Sequence, residues 1–90
     1  MSSAWRIEYT PRAQKHLKKL GSAEAARIVR TLQRDLQDHG NPRGFGSPML
    51  GEWTGYWRYR VGEYRAICRI EDAIVTVFVV EVGHRREVYR

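Results

Sequence analysis

The sequence predicts an α+β domain with elements in the order β-α-α-β-β-β, an antiparallel sheet with a helical hairpin packed on one face. Three observations carry this expectation. Apolar residues recur at helical spacing between Ala13 and Leu36. They alternate at strand spacing between Trp57 and Ile70. A stretch rich in glycine and proline, from Gly40 to Gly55, separates the two regimes. Across the 90 residues there is no repeat, low-complexity tract or break in composition, so residues 1–90 are expected to form one domain.

Each element follows from local chemistry. Trp5-Arg6-Ile7-Glu8-Tyr9 alternates apolar and polar, as a short strand does. Thr10-Pro11 supplies a helix cap followed by proline in the first turn, where its missing N–H costs nothing. Ala13, Leu17 and Leu20 then form one apolar stripe, which Gly21 ends. Ser22 is expected to cap a second helix that buries Ala25, Ile28, Val29, Leu32 and Leu36 and stops at Gly40. In the loop beyond, Met49 and Leu50 are expected to anchor the chain to the core.

Gly62-Glu63 reads as a two-residue hairpin turn of type II′, with glycine at the position that needs positive φ. That register pairs Val61 with Tyr64, Arg60 with Arg65 and Tyr59 with Ala66. Alternation then puts Trp57, Tyr59, Val61, Tyr64, Ala66, Cys68 and Ile70 on the core face. Arg58, Arg60, Arg65 and Arg69 fall on the other. Like charges directly opposed destabilise a sheet. An anion held between the guanidinium groups offsets that cost, because they suit bidentate phosphate binding. The alternative is a solvated face whose arginine stems cover apolar sheet. The last strand, Ile74 to Val82, is nearly all apolar and is expected to be central. A turn at Glu71-Asp72-Ala73 would point Phe78, Val80 and Val82 into the core and Glu81 toward the arginines.

Sixteen Lys+Arg against ten Asp+Glu give a net charge of +6, which suits nucleic acid or an acidic protein as partner. No apolar run approaches the roughly 20 residues that span a bilayer, so no membrane association is expected. The N-terminus carries no apolar signal segment, and the single cysteine, Cys68, cannot form an internal disulfide. A cytoplasmic location is therefore expected. Cys68 is expected to be a small buried hydrophobe. The three histidines and one cysteine have no metal-ligand spacing, so neither a metal nor another cofactor is expected.

The segment Trp57-Arg58-Tyr59-Arg60-Val61-Gly62-Glu63-Tyr64-Arg65, taken with the terminal Gly83-His84-Arg85-Arg86-Glu87-Val88-Tyr89-Arg90, resembles the RelE branch of the RelE/ParE toxin superfamily. The resemblance spans nearly the whole chain, including the helical hairpin and the Gly-rich loop ending in Leu50-Gly51. It implies a RelE-like, microbial-RNase-like fold and a toxin of a type II toxin–antitoxin module. It implies an endoribonuclease that enters the ribosomal A site and cuts mRNA without a metal ion. The implied partners are the ribosome, mRNA and a cognate RelB-like antitoxin. The family's functional positions fall on Arg58, Arg60, Arg65, Arg85 and Tyr89. Lys15, Lys18 and Lys19 would contact ribosomal RNA, with a solvated helix face as the alternative, and Arg69 on the arginine face would add to RNA binding.

Cleavage of this kind uses the ribose 2′-OH as nucleophile, so a group must accept its proton while others neutralise the phosphorane. Some relatives carry lysine on the first hairpin strand, where this chain has Arg58 and Arg60. Arginine, with a pKa above about 12, is a poor base at neutral pH. Tyr89, its pKa lowered by nearby arginines, and His84 are the candidates for proton transfer. Two other functions share the fold. One is a ParE-type inhibitor of DNA gyrase, and the other is a non-catalytic module that binds only antitoxin or nucleic acid.

Overall fold

The computed structural model describes residues 5–38 and 41–84. The first strand, β1, is Arg6–Tyr9. Thr10 then caps helix α1, Pro11–Leu20, its hydroxyl accepting from the Ala13 N–H at 3.2 Å. Gly21, at φ +96°, breaks the chain between α1 and helix α2, Ser22–Gln33. The cap position of α2 is Gly21 rather than Ser22, and no side chain caps it. A π-helical turn, Arg34–Asp38, extends α2 with Leu36 still fully buried, while the expected stop at Gly40 lies outside the described residues. Strand β2 is Ser47–Pro48, β3 is Trp57–Val61, β4 is Tyr64–Glu71 and β5 is Thr76–His84.

The strands form one sheet in the order β1-β5-β4-β3-β2, with α1 and α2 packed on one face. The sheet is mixed rather than wholly antiparallel, because β1 runs parallel to β5. The helical hairpin and the later strands return the chain beside β1 in the same direction as it left. β5 is thereby flanked on both sides, which suits its almost uninterrupted apolar sequence.

The β3–β4 hairpin has the expected register, with Arg60 opposite Arg65. Gly62 takes φ +60° and Glu63 does not take a positive φ, as a type II′ turn requires. The expected core face follows: Tyr59, Val61, Ala66 and Cys68 are buried under the helices, with Trp57, Tyr64 and Ile70 packed around them. Ile28, Leu32 and Leu36 close the core from above. Each stabilises the fold by about 1.5–3 kcal/mol through apolar burial.

β5 departs from expectation. Its turn extends through Val75, which adopts left-handed φ +48°, so the strand starts at Thr76. A bulge then leaves Val80 unopposed, since Ile67 pairs with Glu81 and Cys68 with Val79. Val77, Val79 and Val82 therefore enter the main core, whereas Phe78 and Val80 point to the arginine face. One inserted residue reverses side-chain parity along a strand.

The segment between α2 and β3 is held by a few contacts. The Tyr59 hydroxyl donates to the Pro42 carbonyl at 2.6 Å, beneath the surface. Met49 is buried, but Leu50 is 84% exposed and anchors nothing. Arg43 forms a two-point bond to Asp72, at 2.9 and 2.8 Å, joining this segment to the β4–β5 turn. That guanidinium holds the Asp72 carboxyl below its ordinary range. Among the described residues no helix is long and apolar enough to cross a membrane.

Gly46 lies against β3 so closely that a Cβ there would sit 2.7 Å from Tyr59 Cε1 and 2.9 Å from the Arg58 carbonyl oxygen. Gly46→Ala is expected to cost about 1–3 kcal/mol, the usual penalty of overpacking. Urea unfolding should show a lower midpoint at unchanged slope; an unaltered midpoint would mean that the loop does not press on Tyr59.

Candidate functional site

The second face of the sheet has two unlike halves. At one end, Ile67 and Met49 are buried in a small cluster completed by Trp53, Tyr56 and Val80. The loop before β3 folds over this half, with the Trp53 and Tyr56 rings edge-to-face at 5.3 Å. Arg69 belongs here. Its Nε donates to Glu71 Oε2 at 2.6 Å, its guanidinium stacks 4.9 Å from the Phe78 ring centroid, and Tyr56 also bonds to it. It stands four residues, roughly 13 Å of strand, from Arg65. Arg69, expected to contact RNA, thus stands apart from Arg65 on the same face, held by Glu71 between β4 and the covering loop.

The other half carries the arginines. Here Arg60 and Arg65 oppose each other across β3 and β4, and Gly83 of β5 lies across from Arg65. The pair next to a two-residue turn is hydrogen-bonded, so the Arg60–Arg65 pair is the wide-ladder kind in which side chains approach most closely. Arg58 lies two residues back along β3, opposite Ile67 and next to Ser47 of β2. Arg60 is exposed, and Arg58 and Arg65 are half-buried. Gly83 places no side chain beside the pair. Three arginines thus share one stretch of the β3–β4 face, an arrangement suited to gripping a phosphate.

Other expected residues lie elsewhere. His84 pairs with Tyr64, their ring centroids 6.0 Å apart, and its Nε2 is 3.9 Å from Glu63 Oε1. Because Tyr64 packs on the helix side, His84 stands on the opposite side of the sheet from the arginine patch. Lys15, Lys18 and Lys19 are exposed on α1, also on the helix side, where they line a cavity of about 570 Å³ with Arg12 and His16. By contrast, Glu81, opposite Ile67 in the register, lies on the arginine face as expected, and its carboxylate is 3.5 Å from Arg12. Arg85 and Tyr89 lie outside the described residues.

Three side chains are removed from acid–base or nucleophilic work by burial. Burial pushes Tyr9 up to about 12, and pushes Tyr59 up as well. Cys68 is fully buried and its thiol is likewise raised, so it carries no reactive thiolate. The sequence offered no signal for the covered half of this face, because Ile67 reads only as one more alternating position. The loop contacts that bury it involve residues far along the chain.

Comparison with known proteins follows the same lines. The family described as "ParE toxin of type II toxin-antitoxin system, parDE" matches residues 7–89. Toxin RelG of Mycobacterium tuberculosis is 33% identical over 84 residues, covering 93% of this chain and 94% of that protein. The crystal structure of the toxin–antitoxin complex RelBE2 from the same organism contains a chain with a TM-score of 0.82 at 31% identity, over 92% of this chain and 100% of that one. The isolated RelE toxin of E. coli gives a TM-score of 0.69 at 27% identity, over 96% and 92% of the two chains.

Arginines opposed across a ladder repel each other, so an anion bound between them stabilises the fold. Sulfate is expected to raise the thermal midpoint by a few degrees beyond chloride at equal ionic strength. Arg60→Gln should abolish the difference. An equal response to both salts in the wild-type protein would rule out an anion site between these strands.

Proposed function

This chain belongs to the RelE/ParE superfamily of type II toxin–antitoxin toxins, and we propose that it is the ribonuclease kind: a cytoplasmic endoribonuclease that cuts mRNA in the ribosomal A site. The observation that carries the reading is the register that gathers Arg58, Arg60 and Arg65 on one face, with Gly83 across from Arg65. The reaction needs no metal. The ribose 2′-OH attacks its own 3′ phosphorus, the bond to the departing 5′-oxygen breaks, and a 2′,3′-cyclic phosphate remains. One proton leaves the 2′-OH and one is delivered to the 5′-oxygen.

Arg65 and Arg60 are assigned to the charge that develops on the phosphorane oxygens, with Arg58 holding the neighbouring backbone. Arg85, which follows β5 in the sequence, is assigned to the same charge. Guanidinium groups are poor bases, and His84 stands on the helix side of the sheet, so proton transfer is assigned to Tyr89 rather than His84. Lys15, Lys18 and Lys19 are assigned to ribosomal RNA, reached from the helix side while the arginine patch holds mRNA. The partner that restrains the activity is a RelB-like antitoxin. Its natural complement is the +6 charge of this chain. The solved relatives include a toxin–antitoxin complex, which favours this partner.

A gyrase-directed toxin is the second reading, favoured by the ParE description of the matching family. One experiment separates the two. Purified protein is added to a translation reaction, and mRNA ends are mapped by primer extension. Cuts phased with codons are expected, falling roughly 10²-fold in rate with Arg65→Ala, the loss typical of one charge-stabilising donor. Arg69→Ala should stay within a few-fold of wild type. Gyrase inhibition without any cut would replace this reading by the second, and binding without either effect would leave a non-catalytic module.

A further inference from the structure

His16 makes a contact that no catalytic role explains. From the inner side of α1, its Nδ1 accepts a hydrogen bond from the Val82 backbone N–H at 3.1 Å, across 66 positions of sequence. The need for such a bond follows from the sheet. β1 covers the outer edge of β5 only from Thr76 to Val79. Beyond it, the turn into α1 takes over: the Thr10 N–H donates to the Val79 carbonyl at 3.0 Å and the Thr10 hydroxyl to the Val80 carbonyl at 3.4 Å. Val82 pairs with Ala66 of β4 without sharing hydrogen bonds with it, so its N–H faces outward, away from β4. Val82 is only 3% exposed, and a buried N–H needs a partner. His16 is that partner.

We propose that His16 is a positioning residue for the arginine patch: its neutral ring, protonated on Nε2 alone, clamps the end of β5 through Val82 and so places Gly83 across from Arg65. This rests on the reading of the patch as the cleavage site. The bulge at Val80 makes the clamp necessary. Downstream of it the strand has β4 on one side and no strand on the other, yet this stretch leads directly into Gly83, His84 and Arg85. Only an acceptor serves at position 16. Arg12, Lys15 and Lys19 beside it are donors and cannot take its place.

The test compares His16→Asn, whose amide oxygen can stand where Nδ1 stands, with His16→Leu, which keeps bulk and removes the acceptor. Amide exchange by NMR and mRNA cleavage are measured on the full chain. In His16→Leu the Val82 amide should exchange about tenfold faster, the equivalent of one net hydrogen bond. The Ile28 and Leu32 amides should keep their protection, which shows the fold intact. Cleavage should fall in kcat with little change in KM, and His16→Asn should restore both exchange and kcat. Unchanged Val82 exchange in His16→Leu, or normal kcat despite faster exchange, would overturn the proposal. Wild-type protein that cuts no RNA would instead defeat the cleavage reading, and Val82 exchange would still decide whether His16 is the clamp.

Discussion

The two-residue turn at Gly62-Glu63 is the constraint on which the rest of the molecule depends. Gly62 supplies the positive φ, and the turn locks the ladder so that Arg60 meets Arg65. A slip of one residue would move Tyr59, Val61, Ala66 and Cys68 out of the core and drive the arginines under the helices. Burying an unpaired charge costs several kcal/mol, whereas opposing like charges at the surface costs a few tenths to about 1 kcal/mol. The fold accepts the smaller cost. What it gains is three guanidinium groups on rigid strands. Arg27 of α2 adds a further hold, its guanidinium lying against Gly62 where no Cβ intervenes.

The arginine face is divided into two unlike halves. Met49, Ile67, Trp53, Tyr56 and Val80 seal one end, and Arg69 is spent there on Glu71, Tyr56 and Phe78. The bulge at Val80 makes this division possible. Before it, Val77 and Val79 serve the main core; after it, Val82 does so again, and Val80 is free to serve the second cluster. The same irregularity leaves the end of β5 with one strand neighbour, so its outer edge is finished by side chains of α1 and the turn before it. Packing on one face and placement of the site on the other are thus a single problem with one solution.

What the sequence revealed tracks the range of the interactions involved. The Thr10-Pro11 helix start and the Gly62-Glu63 turn are decided within a few residues, and both were legible. So was the face assignment of β3 and β4, which follows from the turn by alternation. The parity of Phe78 and Val80 was not, because it depends on a bulge whose partners lie on another strand. The parallel pairing of β1 with β5 is likewise a property of the whole chain path. Arg69 looked equivalent to Arg65 because alternation reports a face and not a position along it. Met49 and Leu50 were both expected inside on hydrophobicity alone, yet only Met49 is buried, in the cluster around Ile67.

The central physical claim is that Arg60 and Arg65 grip one phosphate together. Its most direct measurement is an NMR titration of arginine Nε–H resonances with a short RNA whose 2′-hydroxyls are methylated, so that it binds without being cut. Arg60 and Arg65 are expected to shift together along one binding curve, weakened by salt, while Arg69 stays still. Shifts confined to Arg12, Arg27 or Arg30 on the helix side, with Arg60 and Arg65 unmoved, would contradict it.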